Sequence, residues 1–271
     1  MKKLFLSAFT LISMAGLHAQ DSSSVSQPDM RNRPNAKKDR INYRLKMEEE
    51  GDLVFNKHNI FGIRLATDGY GISFEKGKFK TTTKTLLFQF ELNEKKSPKE
   101  HKISTSQDDA SFNSVVLYKI NNLYEFKAAI GQQRLIGGKG NKNGVSVSAL
   151  YTGGVSLALL KPYFIEAYDV ATKVTYQSTW LDVTKNDTAN NIQVASADGF
   201  TVGWDHLSVK PGINAKGAMR FDYGRLNQTV SAIEVGLTGE FYFGKIPQVV
   251  DVPYKQFFFN AYVSILFGSR K

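Results

Sequence analysis

Cysteine is absent from the 271 residues. No disulfide can staple the fold, and no lipid can be attached through a thiol. Histidine is almost as scarce, with four residues. Outside the first twenty positions these are His58, His101 and His206, too scattered to give metal-ligand spacing. No metal and no other cofactor is expected. Long apolar runs are missing too: no stretch reaches the roughly 18 residues that a membrane helix needs.

What is present begins with a leader. Residues 1–20, MKKLFLSAFTLISMAGLHAQ, carry Lys2 and Lys3, an apolar core from Leu4 to Leu17, and the small Ala19 at a cleavage point. This is the pattern of a secretory signal peptide over 1–19. The whole chain has a formal charge of +10, and removing Lys2 and Lys3 with the leader leaves +8. Nucleic acid is a poor partner for an exported chain. Outer-membrane lipid headgroups and lipopolysaccharide phosphates fit the basic excess better.

Residues 20–54 are polar, with Ser22–Ser24, Pro28 and Pro34 working against packing. Within them 35–49 could form a short helix capped by Asn35. This segment reads as a periplasmic arm, and as the obvious contact for a periplasmic or outer-membrane protein partner.

From Phe55 to Lys271 the chain is a series of period-two segments. The last, KQFFFNAYVSILFGSRK, places Phe259, Ala261, Val263, Ile265 and Phe267 on one face and Asn260, Tyr262, Ser264 and Gly268 on the other. That is a strand with an apolar side and a polar side. Similar alternation runs through 61–65, 70–74, 86–92, 116–120, 124–130, 145–160, 213–223 and 233–243. No helix pattern offers these apolar faces a partner, and charges repeat on the opposite faces. Aromatics gather near strand ends at Tyr70, Phe79, Tyr124, Tyr223, Tyr242, Phe243 and Phe257, as in the girdles of membrane barrels. The expected fold is all-β, a transmembrane antiparallel up-and-down β-barrel over 55–271.

Nine strands are clear, and a barrel with both ends in the periplasm needs an even number. A turn at Gly153-Gly154 makes ten, with eight as the fallback. Ten strands place 93–111, 137–144, 169–206 and 245–254 outside the cell, and 76–82, 121–122, 153–154 and 225–228 in the periplasm. A secreted soluble β-sandwich is the rival fold.

The leader ending in LHAQ, the segments GGVSLALLKPYF (153–164), VKPGINAKGAMRF (209–221) and AIEVGLTGEFY (232–242), and the terminal FFFNAYVSILFGSRK together resemble a family of small outer-membrane β-barrel proteins of the Bacteroidota. The resemblance covers about 55–271. It implies integral location in the cell outer membrane and the barrel scaffold, with no agreed activity.

Inward positions of the expected strands hold Arg64, Glu75, Glu91, Glu125, Lys127, Lys216, Arg220, Asp222, Glu234 and Glu240. A barrel of eight to ten strands is filled by its own side chains. Mixed charges in such a space either pair with one another or line a narrow, porin-like path. No enzyme is expected. The one cluster with residue types for nucleophilic catalysis is Asp205, His206 and Ser208 in WDHLS, and no nucleophile elbow surrounds Ser208. It is what a lipid-modifying enzyme would have to use. Thr188, in Asp187-Thr188-Ala189, matches the Asp-Thr-small pattern of Bacteroidota O-glycosylation.

Overall fold

The computed structural model describes residues 39, 42, 55–105, 113–139, 144–186, 192–224, 228–250 and 252–271. Asp39 and Asn42 are both helical and belong to a unit of their own, Met1–Glu50. The expected leader over 1–19 and most of the arm lie outside the described residues. All else concerns the second unit, Gly51–Lys271.

In chain order the strands are β1 (Lys57–Ala66), β2 (Gly69–Phe79), β3 (Lys84–Lys95), β4 (His101–Thr105), β5 (Asn113–Leu117), β6 (Asn121–Gly137), β7 (Ser146–Pro162), β8 (Phe164–Asp169), β9 (Val174–Thr179), β10 (Ile192–Ala197), β11 (Ser208–Asp222), β12 (Thr229–Ile246) and β13 (Lys255–Arg270). A short helix, α1 (Trp180–Asn186), follows β9, and a 3-10 turn spans Trp204–His206. Eight strands close into a barrel in the order β1-β13-β12-β11-β7-β6-β3-β2. Every neighbouring pair is antiparallel, and β1 meets β13 from His58↔Arg270 to Ala66↔Tyr262. Closure leaves no sheet edge unpaired, as hydrocarbon requires of a spanning sheet.

The count is eight, not the expected ten, for two reasons. Gly153-Gly154 is no turn, because both residues lie inside β7, where Gly154 pairs with Ala129 on one side and Asn214 on the other. A Cβ on Gly154 would sit 2.1 Å from the Ala128 carbonyl oxygen. The glycine serves close approach within the barrel rather than chain reversal. The second reason is 116–120. β5 stops at Leu117, Tyr118 takes a left-handed φ of 57°, and Asn121-Asn122 opens β6 instead of turning the chain.

This also moves the loop at 137–144. It joins 80–83 and 223–228 at the end of the barrel that carries Lys57 and Arg270. The opposite end bears 67–68, 96–120, 163–207 and 247–254.

The outer wall follows the sequence alternation. Ile63, Leu65, Ile72, Phe74, Phe90, Val235, Leu237, Val263 and Ile265 are exposed and form a continuous apolar belt. A water-soluble monomer rarely exposes a contiguous apolar patch beyond a few hundred Å². The architecture is a transmembrane up-and-down barrel. Tyr70 and Tyr124 near one end and Tyr223 near the other fit girdle positions. Tyr242 does not: it is fully buried in the lumen. Phe79 packs edge-on against the inward His58 at 5.5 Å.

Beyond the barrel end that carries the long connections, the chain folds again. β10-β8-β9 form a three-stranded sheet, and β4-β5 a hairpin. Val115, Ile165, Ala167, Trp180 and Val183 bury against one another, so hairpin, sheet and α1 share one small core. The Trp180 indole donates to the Val116 carbonyl oxygen at 3.0 Å. Lys119 is buried and paired with Glu100 at 2.9 Å. The described residues of the region read as irregular over 169–206 thus include part of a packed cap. Trp180→Ala should cost the cap about 3–5 kcal/mol, the range for emptying a buried tryptophan site. Limited proteolysis is expected to cut within 164–197 while the barrel band survives. Unchanged resistance would mean the cap has no cooperative core.

Candidate functional site: the charged lumen

A narrow barrel must fill its interior with the residues that alternate inward. Near the termini those residues are apolar: Ile60, Val230, Ala232 and Leu266. Near the cap Leu123, Ala158, Leu160, Tyr242 and Ile246 form a second apolar layer. Between and around these layers lie five buried cations, Arg64, Lys95, Lys127, Lys216 and Arg220. Five buried carboxylates, Glu75, Glu91, Glu125, Glu234 and Glu240, face them.

Arg220 organises the half nearer the termini. Its Nη1 and Nη2 donate to the two Glu75 oxygens, both at 2.7 Å. Its Nη2 and Nε reach Glu234 Oε2 at 2.7 and 3.0 Å. His58 Nε2 lies 2.9 Å from Glu75 Oε1, and the Tyr262 hydroxyl donates to Glu234 Oε1 at 2.7 Å. Gly77 leaves the space that His58 occupies, since a Cβ there would lie 2.2 Å from Nε2.

One level on, Lys216 donates to Glu91 Oε1 at 3.1 Å and sits 3.6 Å from Glu234. Arg64 pairs with the other Glu91 oxygen and lies 4.0 Å from the Tyr262 ring centroid. Toward the cap, Lys127 bonds Glu240 and lies 3.0 Å from Glu125. Lys95 bonds Glu240 and lies 3.2 Å from Asp68. The Tyr242 hydroxyl donates to Glu125.

Each of these ten charges has at least one opposite partner. Burying a charge is costly unless it is paired and hydrogen-bonded, and the equal numbers of cations and carboxylates meet that condition. All the sequence-expected lumen charges are buried here. Asp222 sits apart at the terminal rim, held by Arg270 and 3.6 Å from Lys139. Lys95 and His58 escaped the sequence reading. Lys95 fell within a segment taken as loop, although it continues the inward phase of Gln89, Glu91 and Asn93. A small cavity beside this network is lined by Arg64, Asp68, Lys95, Lys127 and Asn260.

The Asp205, His206 and Ser208 cluster does not assemble for catalysis. His206 Nδ1 lies 3.0 Å from Asp205, but the two side chains are 66% and 76% exposed. The imidazole holds the Asp205 carboxyl below the usual range by hydrogen bonding, an ordinary surface effect. Ser208 begins β11 across from Leu160. Among the described residues no hydrogen bond joins it to His206. Thr188 lies outside the described residues, and the described residues hold no metal-type cluster of His, Asp and Glu.

No protein-family model matches the chain, and no curated protein does. Among solved structures the chain is similar to Neisserial surface protein A, at 8% identity and TM-score 0.37, over 80% of this chain and 97% of that one. It is similar to Ail of Yersinia pestis at 6% identity and TM-score 0.34, over 80% and 99%. The N-terminal β-barrel domain of Pseudomonas aeruginosa OprF gives 11% identity and TM-score 0.35, over 79% and 98%. The barrel stands on this chain's own strand pairing, and these likenesses assign no role.

Proposed function

We propose that the chain is an integral outer-membrane β-barrel with a closed lumen, acting as a scaffold that holds a folded cap on the outer side of the membrane. The supporting observation is the filled interior: ten paired charges between and around two apolar layers. A conducting porin needs an open aqueous path, which barrels of larger strand number provide. Outer-membrane barrels have short periplasmic turns and longer extracellular loops. By that rule the terminal end, with 80–83, 138–145 and 223–228, faces the periplasm, and the cap faces outward. The leader over 1–19 and the arm over 20–54 belong to the same reading, as export signal and periplasmic segment. The Bacteroidota resemblance supports the envelope location.

The test is conductance. The full chain, refolded and inserted into a planar bilayer in potassium chloride, is expected to show no steady open state. A stable ohmic step at neutral pH would overturn the closed scaffold in favour of a narrow pore.

A further inference from the structure

We propose that one side of the barrel's terminal rim is a binding site for an anionic glycerophospholipid of the leaflet on that side. The site is formed by Lys57, Lys76, Lys78, Lys84 and Arg134. It rests on the membrane reading above.

The placement follows from the alternation. Lys76 and Lys78 continue the outward row of Ile72 and Phe74 on β2, and Lys57 continues the row of Ile63 and Phe61 on β1. Lys84 and Arg134 do the same below Phe88 on β3 and Ile130 on β6. All five are exposed. Each row therefore passes from apolar side chains to a cation within one or two outward positions. That is the depth at which a lysine or arginine stem lies along the acyl boundary while its charge reaches the headgroups.

The pairing makes the cluster unusual. Lys57 stands directly opposite Lys78, and Lys84 directly opposite Arg134. Like charges facing each other across neighbouring strands repel. Among the described residues no ion pair relieves them: none of the five has a carboxylate partner there, whereas the lumen cations are all matched. Successive strands are about 4.8 Å apart, so the two like-charge pairs sit roughly 10 Å from each other along the wall. The patch is also one-sided. On β11, β12 and β13 the outward positions at this end are Phe221, Ser231, Thr229, Phe267 and Ser269, without charge, and the next one on, Lys271, bonds the Lys57 backbone and so lies on the cationic side. A general interfacial belt of snorkelling lysines would surround the barrel. A cluster confined to β1, β2, β3 and β6, self-repelling and beside an acyl-facing wall, fits a phosphate that arrives on a lipid.

The test compares the full chain with a variant carrying Lys57→Gln, Lys78→Gln, Lys84→Gln and Arg134→Gln. Both are reconstituted in phosphatidylethanolamine vesicles containing a minor fraction of phosphatidylglycerol. Lipid retained after gentle extraction is read by native mass spectrometry. Each cation near an anionic surface changes partitioning roughly fivefold, so wild type should hold phosphatidylglycerol at roughly ten times its share of the bilayer or more. The variant should fall to the bulk ratio. A second variant, Lys245→Gln with Lys255→Gln at the cap end, should keep the enrichment.

Equal lipid ratios for wild type and the rim variant overturn the site. So does loss of enrichment in the cap-end variant, which would mean diffuse charge attraction. Preferential retention of lipopolysaccharide, when it is added to the vesicles, also overturns it. Carbonate washing separates the two layers of inference. A chain washed off the vesicles sinks the membrane reading, while an inserted chain without enrichment sinks this site alone.

Discussion

Replacing Arg220 with leucine should lower the barrel's unfolding free energy by about 3–5 kcal/mol, the usual cost of removing one partner from a buried ion pair. Arg220 is 2% exposed and bridges two carboxylates, Glu75 and Glu234, that are themselves buried. Leucine fills much of the volume but supplies no proton donor. Two buried anions would then face each other with only His58, Tyr262, Gln89 and Lys216 left to them. Urea unfolding of the vesicle-inserted chain, followed by circular dichroism at strand wavelengths, measures the loss. A triple variant, Arg220→Leu with Glu75→Gln and Glu234→Gln, should regain a large part of it, because no uncompensated charge remains. If the single variant unfolds within 1 kcal/mol of wild type, the lumen network is not the structural element described here.

The second large effect comes from the outer wall. Leu237→Arg should cost about 2–4 kcal/mol, the range for a cation placed at the bilayer midplane on a barrel's lipid face. Leu237 is 50% exposed, lies mid-strand on β12, and is flanked in register by Gly217 and Ala261. In a water-soluble barrel the same exposed leucine would tolerate arginine within about 0.5 kcal/mol. One variant therefore separates the membrane barrel from a secreted soluble β-protein. The measurement is the fraction folded in vesicles, read from the shift in gel mobility between unheated and boiled samples. An unshifted folding midpoint would place the apolar belt in water.

Much of this was legible because a β-strand exposes its two faces alternately. In β13, the phase of Phe259, Val263 and Ile265 against Tyr262 and Ser264 already separates lipid face from lumen face. Arg64, Glu75, Lys216, Arg220 and Glu234 were readable as inward for the same reason. Periodicity does not say where a strand bends, and there the reading failed. Gly153-Gly154 carries a turn composition, yet the pair lies mid-strand, and at Gly154 the neighbours Ala128 and Ala129 come close enough to demand a residue without Cβ. Tyr242 looked like a girdle aromatic from its place near a strand end. Its phase put it inside, where its hydroxyl donates a hydrogen bond to Glu125.

The cap was hidden for a different reason. Strands β8, β9 and β10 are six residues each, too short for a period-two run to stand out, and β9 buries none of its residues. Their apolar residues, Ile165 and Ala167, acquire a core only by meeting Val115 and Trp180 from distant stretches. No local pattern records such a meeting.

Sequence alone determined the β class, the two faces of each strand and the kinds of charge the interior holds, because these depend only on alternation along a single strand. Tertiary structure decided the strand number, the pairing of five cations with five carboxylates, the folding of the long loops into a cap and the clustering of Lys57, Lys78, Lys84 and Arg134. Those depend on register between strands far apart in the chain, which is set when the barrel closes.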